Sequence, residues 1–131
     1  MLISSYFSCP KIGLSGTCPG TYDQATFKYI TSPNYPENYG NNDDCSWMIT
    51  ALRERFFVLN ITDFDTEYND VLVVYNGSND KGIRLERRSG FYSYQSEIMF
   101  TGKNMYLKFT SDYYSNKKGF RILLNSYGKY K

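Results

Sequence analysis

Apolar and polar residues alternate with a period of two through much of this chain, the pattern of strands with one buried face. In Arg55 to Ile61, Phe57, Leu59 and Ile61 share one face, while Phe56, Val58 and Asn60 share the other. Cys45, Trp47 and Ile49 line up in Cys45 to Thr50, with Trp47 expected as a core anchor against a disulfide. Met105, Leu107 and Phe109 do the same in Asn104 to Thr110, opposite Tyr106 and Lys108. Further strands are predicted over Ser96 to Phe100 and Gly119 to Tyr127, a short one over Ile83 to Glu86, and a loosely alternating first one over Ala25 to Ile30. Val71 to Tyr75 is an unbroken strand signal, closed by Asn76-Gly77, a pair suited to the φ > 0 positions of a tight turn. No segment has a helical period, and many short strands at this spacing predict an all-β sandwich or jelly roll.

The intervening segments are rich in turn formers. Thr31 to Asp44 is dense in Pro, Asn, Asp and Gly and reads as a long ordered loop. Ser78 to Gly82 and Ser111 to Lys118 are polar loops, and Arg87 to Gly90 reads as a turn. Residues 1–17 carry Pro10, Gly13 and Gly16 without periodicity and read as an N-terminal arm or linker, with the domain itself spanning 18–131.

Composition narrows the class. A chain of 131 residues fits one domain with a real core, and 18% aromatic residues favour strands and binding surfaces. A net charge of +2 is too small to argue for a nucleic-acid surface, and the clusters Arg84, Arg87, Arg88 and Lys117, Lys118 read as solvated loops. The absence of His removes the usual general base and the commonest zinc ligand, and Ser89, Ser96 and Ser111 therefore lack a triad partner. No apolar run approaches the roughly 20 residues of a membrane-spanning helix. Three cysteines, Cys9, Cys18 and Cys45, allow one disulfide and one leftover thiol, and glycosylation sequons occur at Asn60 and Asn76. Together these favour an extracellular chain.

Glu67 and Asp70 stand just before the Val71 strand, where carboxylates are costly unless a hard cation, a basic partner or water satisfies them. The order Cys18, Ser32-Pro-Asn-Tyr-Pro, Tyr39, Cys45-Ser-Trp, Phe64-Asp-Thr-Glu67, Asp70, Tyr75-Asn-Gly, Phe109-Thr-Ser-Asp112 and Gly119-Phe resembles the CUB domain family over about residues 18 to 127. The resemblance implies a jelly-roll sandwich of two antiparallel sheets, used for recognition in secreted and cell-surface proteins. It also implies a Cys18 to Cys45 disulfide, worth roughly 3 to 4 kcal/mol in the chain-entropy picture. Cys9 would then be unpaired and would seek another chain or another part of a longer protein. The alternative pairs Cys9 with Cys18 and leaves Cys45 as a buried thiol. The family's second disulfide has no counterpart: the Glu67 to Asp70 loop is short, and Ser89-Gly90 stands where the later cysteine is usual.

A subset of the family binds Ca²⁺, and the matching positions here are Glu67, Asp70 and Asp112, with Asp63 or Asp65 as substitutes if the short loop displaces Glu67. Backbone oxygens near Tyr113 or Tyr114 would complete the shell. The ion would order carboxylates that then pair with a Lys or Arg of a partner protein. Against this, Asp70 and Asp112 could simply satisfy loop amides. Tyr92, Tyr94, Tyr113, Tyr114, Tyr127 and Tyr130 form a second candidate surface, able to stack on carbohydrate or anchor a protein. The expected function is non-catalytic recognition through the acidic site. Its rival is a structural or assembly module packing through aromatic surfaces without metal.

Overall fold

The computed structural model describes residues 3–8, 22–23 and 27–128; Cys9, Cys18 and Tyr130 lie outside them. The described residues contain nine strands and no helix: β1 (Ile3–Ser8), β2 (Tyr22–Asp23), β3 (Phe27–Thr31), β4 (Asp44–Asp65), β5 (Val71–Asn76), β6 (Ile83–Arg88), β7 (Phe91–Tyr92), β8 (Ser96–Thr110) and β9 (Gly119–Gly128). All pairings are antiparallel.

Two expected breaks are absent. Cys45 to Thr50 and Arg55 to Ile61 belong to one strand, β4, and Ser96 to Phe100 continues into Asn104 to Thr110 as β8. The polar Arg53-Glu54 interrupts the alternation, but the chain absorbs it as a register shift between Thr50 and Arg55. The first half of β4 thus lies in one layer, between β1 and the second half of β8, with β5 and β6 beyond. Its second half lies in the other layer, between the first half of β8 and β9, with β3 outside. The expected arm therefore contains a strand hydrogen-bonded to β4.

The alternating positions meet in one core. Trp47, Ile49, Phe57, Leu59, Leu72, Val74, Leu107, Phe109 and Phe120 are all fully buried. Trp47 packs edge-on against Phe120 across the layers at 6.1 Å between ring centroids, and Phe109 meets Phe120 at 5.2 Å. Gly119 opens β9 at φ +94°, where an added Cβ would sit 1.8 Å from Ser32 Oγ. That hydroxyl accepts from Phe120 N–H at 3.0 Å, joining the long loop after β3 to β9.

The basic cluster is a correction. Arg87 and Arg88 extend β6 rather than forming a turn, and Arg88 is 6% exposed. Its guanidinium pairs with Glu86 at 3.0 Å, donates to Ser96 Oγ at 2.8 Å and lies 4.2 Å from the Tyr92 ring centroid. Period-two alternation along β6 turns Arg88 inward, and these partners compensate its lost hydration.

Candidate metal site

The acidic site forms where three loops meet at the start of β5. Asp70 immediately precedes Val71 and is fully buried. Its Oδ2 accepts from the Tyr39 hydroxyl at 2.7 Å, and its Oδ1 accepts from the Asp112 backbone N–H at 2.9 Å. The Tyr39 hydroxyl in turn accepts from Glu67 N–H at 2.9 Å. One phenol thus joins the 39–43 loop to the 66–70 loop, and Asp70 joins both to the 111–118 loop.

Those loops are laced together by short polar side chains. Ser111 Oγ donates to Gly40 O at 2.6 Å and accepts from Asp43 N–H at 2.8 Å. Asp43 Oδ2 accepts from Gly40 N–H at 2.9 Å, and Asn42 N–H donates to Asp112 O at 2.8 Å. Thr66 Oγ1 donates to Asp70 O at 2.9 Å. The turn formers of Thr31 to Asp44 therefore order the loop as well as break strands.

Burial pushes the Asp70 carboxyl above its ordinary range, and the neighbouring Asp112 carboxylate adds to the effect against the opposing Tyr39 and Asp112 amide donors. The Tyr39 hydroxyl is also raised, by burial and by its bond to Asp70. No Lys or Arg forms an ion pair with Asp70 among the described residues; the three ion pairs are Arg88–Glu86, Lys108–Asp44 and Lys118–Asp63. Asp112 Oδ1 accepts from Tyr114 N–H at 3.0 Å, and Glu67 Oε2 accepts from Ser115 Oγ at 3.2 Å.

Glu67, Asp70 and Asp112 thus border one junction, with Asp70 and Asp112 adjacent and Glu67 held at the edge by Ser115. Among the described residues, no three acidic or sulfur side chains already converge as a metal cage. Asp63 is committed elsewhere: Lys118 pairs with it at 2.8 Å and the Tyr35 hydroxyl donates to it. Burial would raise its carboxyl, but these two donors outweigh burial and lower it. Asp65 pairs in the sheet with Phe91 and Gly119. In the sequence, Tyr39, Thr66 and Ser111 stand only as positions of the motif pattern with no role at the acidic site, and Ser115 is one residue of a polar loop. Nothing in their local sequence announces a shared junction.

The remaining candidates are dispersed. Cys45 is disulfide-bonded, which removes the reading of Cys45 as a buried thiol. Asn60 lies on the outward face of β4, and Asn76 Nδ2 donates to Thr101 O at 3.5 Å. Ser96 and Ser111 serve Arg88 and the loop junction respectively. Tyr94, Tyr113, Tyr114 and Tyr127 are exposed, whereas Tyr92 packs partly against the core.

Comparison with known proteins places this architecture. Human cubilin is 38% identical over 116 residues, covering 88% of this chain but only 3% of cubilin, and rat cubilin is 37% identical over 116 residues with the same coverage of each. The chain therefore spans a small fraction of these relatives' length. The extracellular region of zebrafish Gpr126/Adgrg6 superposes with a TM-score of 0.69 at 26% identity, covering 80% of this chain and 14% of that one. The CUB1-EGF-CUB2 domain of human MASP-1/3 superposes with a TM-score of 0.70 at 22% identity, covering 80% and 43% respectively. Residues 18–124 match the CUB domain model, a span that takes in the Tyr39, Asp70 and Asp112 junction and every strand from β3 to the middle of β9, and the chain belongs to the CUB domain family.

Proposed function

We propose that this chain is a non-catalytic extracellular recognition module that binds Ca²⁺ through Asp70, Asp112 and Glu67, and through the ordered carboxylates pairs with a Lys or Arg of a protein partner. The observation that carries this reading is Asp70: a fully buried carboxylate beside a second carboxylate, with only neutral donors bonded to it among the described residues. Such a pair gains from a hard cation with oxygen ligands, which relieves both desolvation and mutual repulsion. The donor set is all oxygen and suits Ca²⁺; turning Glu67 from Ser115 towards the pair would complete three carboxylates. The metal would supply fixed positive charge, and the protein residues would present their outer oxygens to the partner's cation.

The experiment is a thermal scan in calcium and in chelator, on the parent chain and on Asp70→Ala. With extracellular-type dissociation constants of about 10⁻⁴ to 10⁻³ M, about 10 mM calcium stabilises the parent by about 1 to 3 kcal/mol. Asp70→Ala abolishes that shift and still folds. A parent chain whose melting temperature is the same in both solutions overturns the metal reading.

A second reading rests on the outer face of the second layer. Phe56 and Tyr127 lie directly opposite on β4 and β9 and are both exposed, with exposed Met99 opposite Val58. This face would serve an assembly module without metal. Sedimentation that shows oligomers at low concentration regardless of chelator favours it.

A further inference from the structure

The outer face of β4 carries a feature that the acidic site leaves unexplained. Phe57, Leu59 and Ile61 point into the core, so Phe56, Val58, Asn60 and Thr62 point out. Asn60 heads the sequon Asn60-Ile61-Thr62 and sits between Glu97 on β8 and Leu123 on β9. Its Oδ1 is buried with no hydrogen-bond partner among the described residues. A carboxamide in mid-strand that leaves its oxygen unpaired has no evident folding role.

Asn60 also opens onto a shaped surface. A depression of about 370 Å³ is lined by Asn60, Gln95, Ser96 and Glu97. Gln95 borders a second depression of about 360 Å³, whose walls include Asp63, Lys118, Tyr92 and Tyr94. Gln95 lines both, so the two depressions adjoin there as a trough with a shared wall. Tyr92 and Tyr94 meet edge to face at 5.9 Å, and Tyr94 is 63% exposed, which leaves ring surface free.

We propose that Asn60 carries an N-linked glycan whose first sugars lie in this trough, passing Gln95 and stacking on Tyr94. The chemistry fits a pyranose: its C–H face packs on an aromatic ring, while its hydroxyl and acetamido groups meet the Gln95 carboxamide, the Glu97 carboxylate and the Lys118 ammonium. Attachment joins Nδ2 of Asn60 to the sugar C1 and breaks the C1–O bond to a lipid-diphosphate-linked oligosaccharide donor. The amide nitrogen gives up one proton and the lipid diphosphate leaves. This requires passage through the secretory pathway and does not depend on the cation site.

The test uses the full chain secreted from eukaryotic cells in an Asn76→Gln background, so that any N-glycan signal comes from Asn60. Glycopeptide mass spectrometry reads occupancy, and NMR with ¹³C-labelled sugars reads the environment of the first residues. The expected result is an occupied Asn60 with sugar C–H resonances shifted upfield by the aromatic ring. Those shifts are lost in Tyr94→Ala, a substitution at an exposed position, while occupancy persists. Amide exchange across residues 91–97 rises when the glycan is removed enzymatically. An unmodified Asn60 in secreted protein overturns the proposal. So does an occupied Asn60 whose sugar resonances match free glycan and are unchanged by Tyr94→Ala.

Discussion

Thr66 and Gly90 hold each other through a reciprocal pair of hydrogen bonds, Thr66 N–H to Gly90 O at 2.9 Å and Gly90 N–H to Thr66 Oγ1 at 3.0 Å. These residues connect the two segments in which the family usually places its second disulfide, and here no cysteine occupies either. The threonine is 3% exposed, and its hydroxyl also reaches Asp70 O. Thr66→Val keeps the shape and strands these buried groups, so it should cost about 1 to 3 kcal/mol in urea unfolding. It should also weaken any calcium response, because the same hydroxyl positions the Asp70 backbone.

The two perturbed carboxylates give opposite pH dependences in chelator. Asp70 is raised, so its contribution favours the folded state fully below its unfolded pKa of about 3.9 and is lost as pH rises through its higher folded value. Asp70→Asn should therefore gain most over the parent near neutral pH, with the gap closing in acid. Asp63 is lowered by Lys118 and Tyr35 despite burial, so its contribution is present above about pH 3.9 and is lost as pH falls through its lower folded value. Asp63→Asn should be destabilised at neutral pH and converge with the parent only in strong acid. Melting temperatures across pH for the three chains check both signs. Across Asp63, the Tyr35 hydroxyl is pushed up to about 12 by burial and by that carboxylate, so it stays protonated throughout the scan.

Arg88 should behave as a core residue. Arg88→Ala removes the Glu86 pair, the Ser96 bond and the stack on Tyr92, with an expected loss of about 3 to 5 kcal/mol. Arg88→Lys keeps the charge but loses the planar fork, so it should recover only part of that loss in denaturant titrations.

Gly119 tests the seam between the long loop and β9. Gly119→Ala places a methyl against Ser32 Oγ at a φ that L residues avoid, and about 2 to 4 kcal/mol should be lost. Combining it with Ser32→Ala should relieve only the clash with Oγ, since the Ser32 Cβ still lies 2.7 Å from the new methyl and the strained φ and the lost Phe120 bond remain.

Alternation along the chain reveals the core because Phe57, Leu59, Met105, Leu107 and Phe109 each follow their strand's period and are buried. It conceals the unity of β4, because Arg53-Glu54 looks like a break and only the register shift against β8 shows that the strand continues. Arg88 is concealed for a different reason: adjacent arginines suggest solvent, and the partners that make an inward arginine tenable include Ser96 and the rings of Phe64 and Tyr92, all from other strands. At the acidic site the carboxylates are legible as a pattern. The Tyr39 phenol that links Asp70 with Glu67 is not, since it approaches them across about thirty positions of sequence.

The bent β4 strand also sets an order of events during synthesis. Asn60 finds its neighbours in Glu97 and Leu123, both much later in the chain. While residues up to about 95 are emerging, the second half of β4 has none of the partners it will have in β8 and β9, and its amides and apolar side chains stand open. A sequon in mid-strand is thus an extended, accessible peptide during translocation and becomes a sheet position only when β8 and β9 arrive. The same delay leaves a long unpaired edge exposed to other nascent chains, and a sugar added early at Asn60 would cover it during that interval.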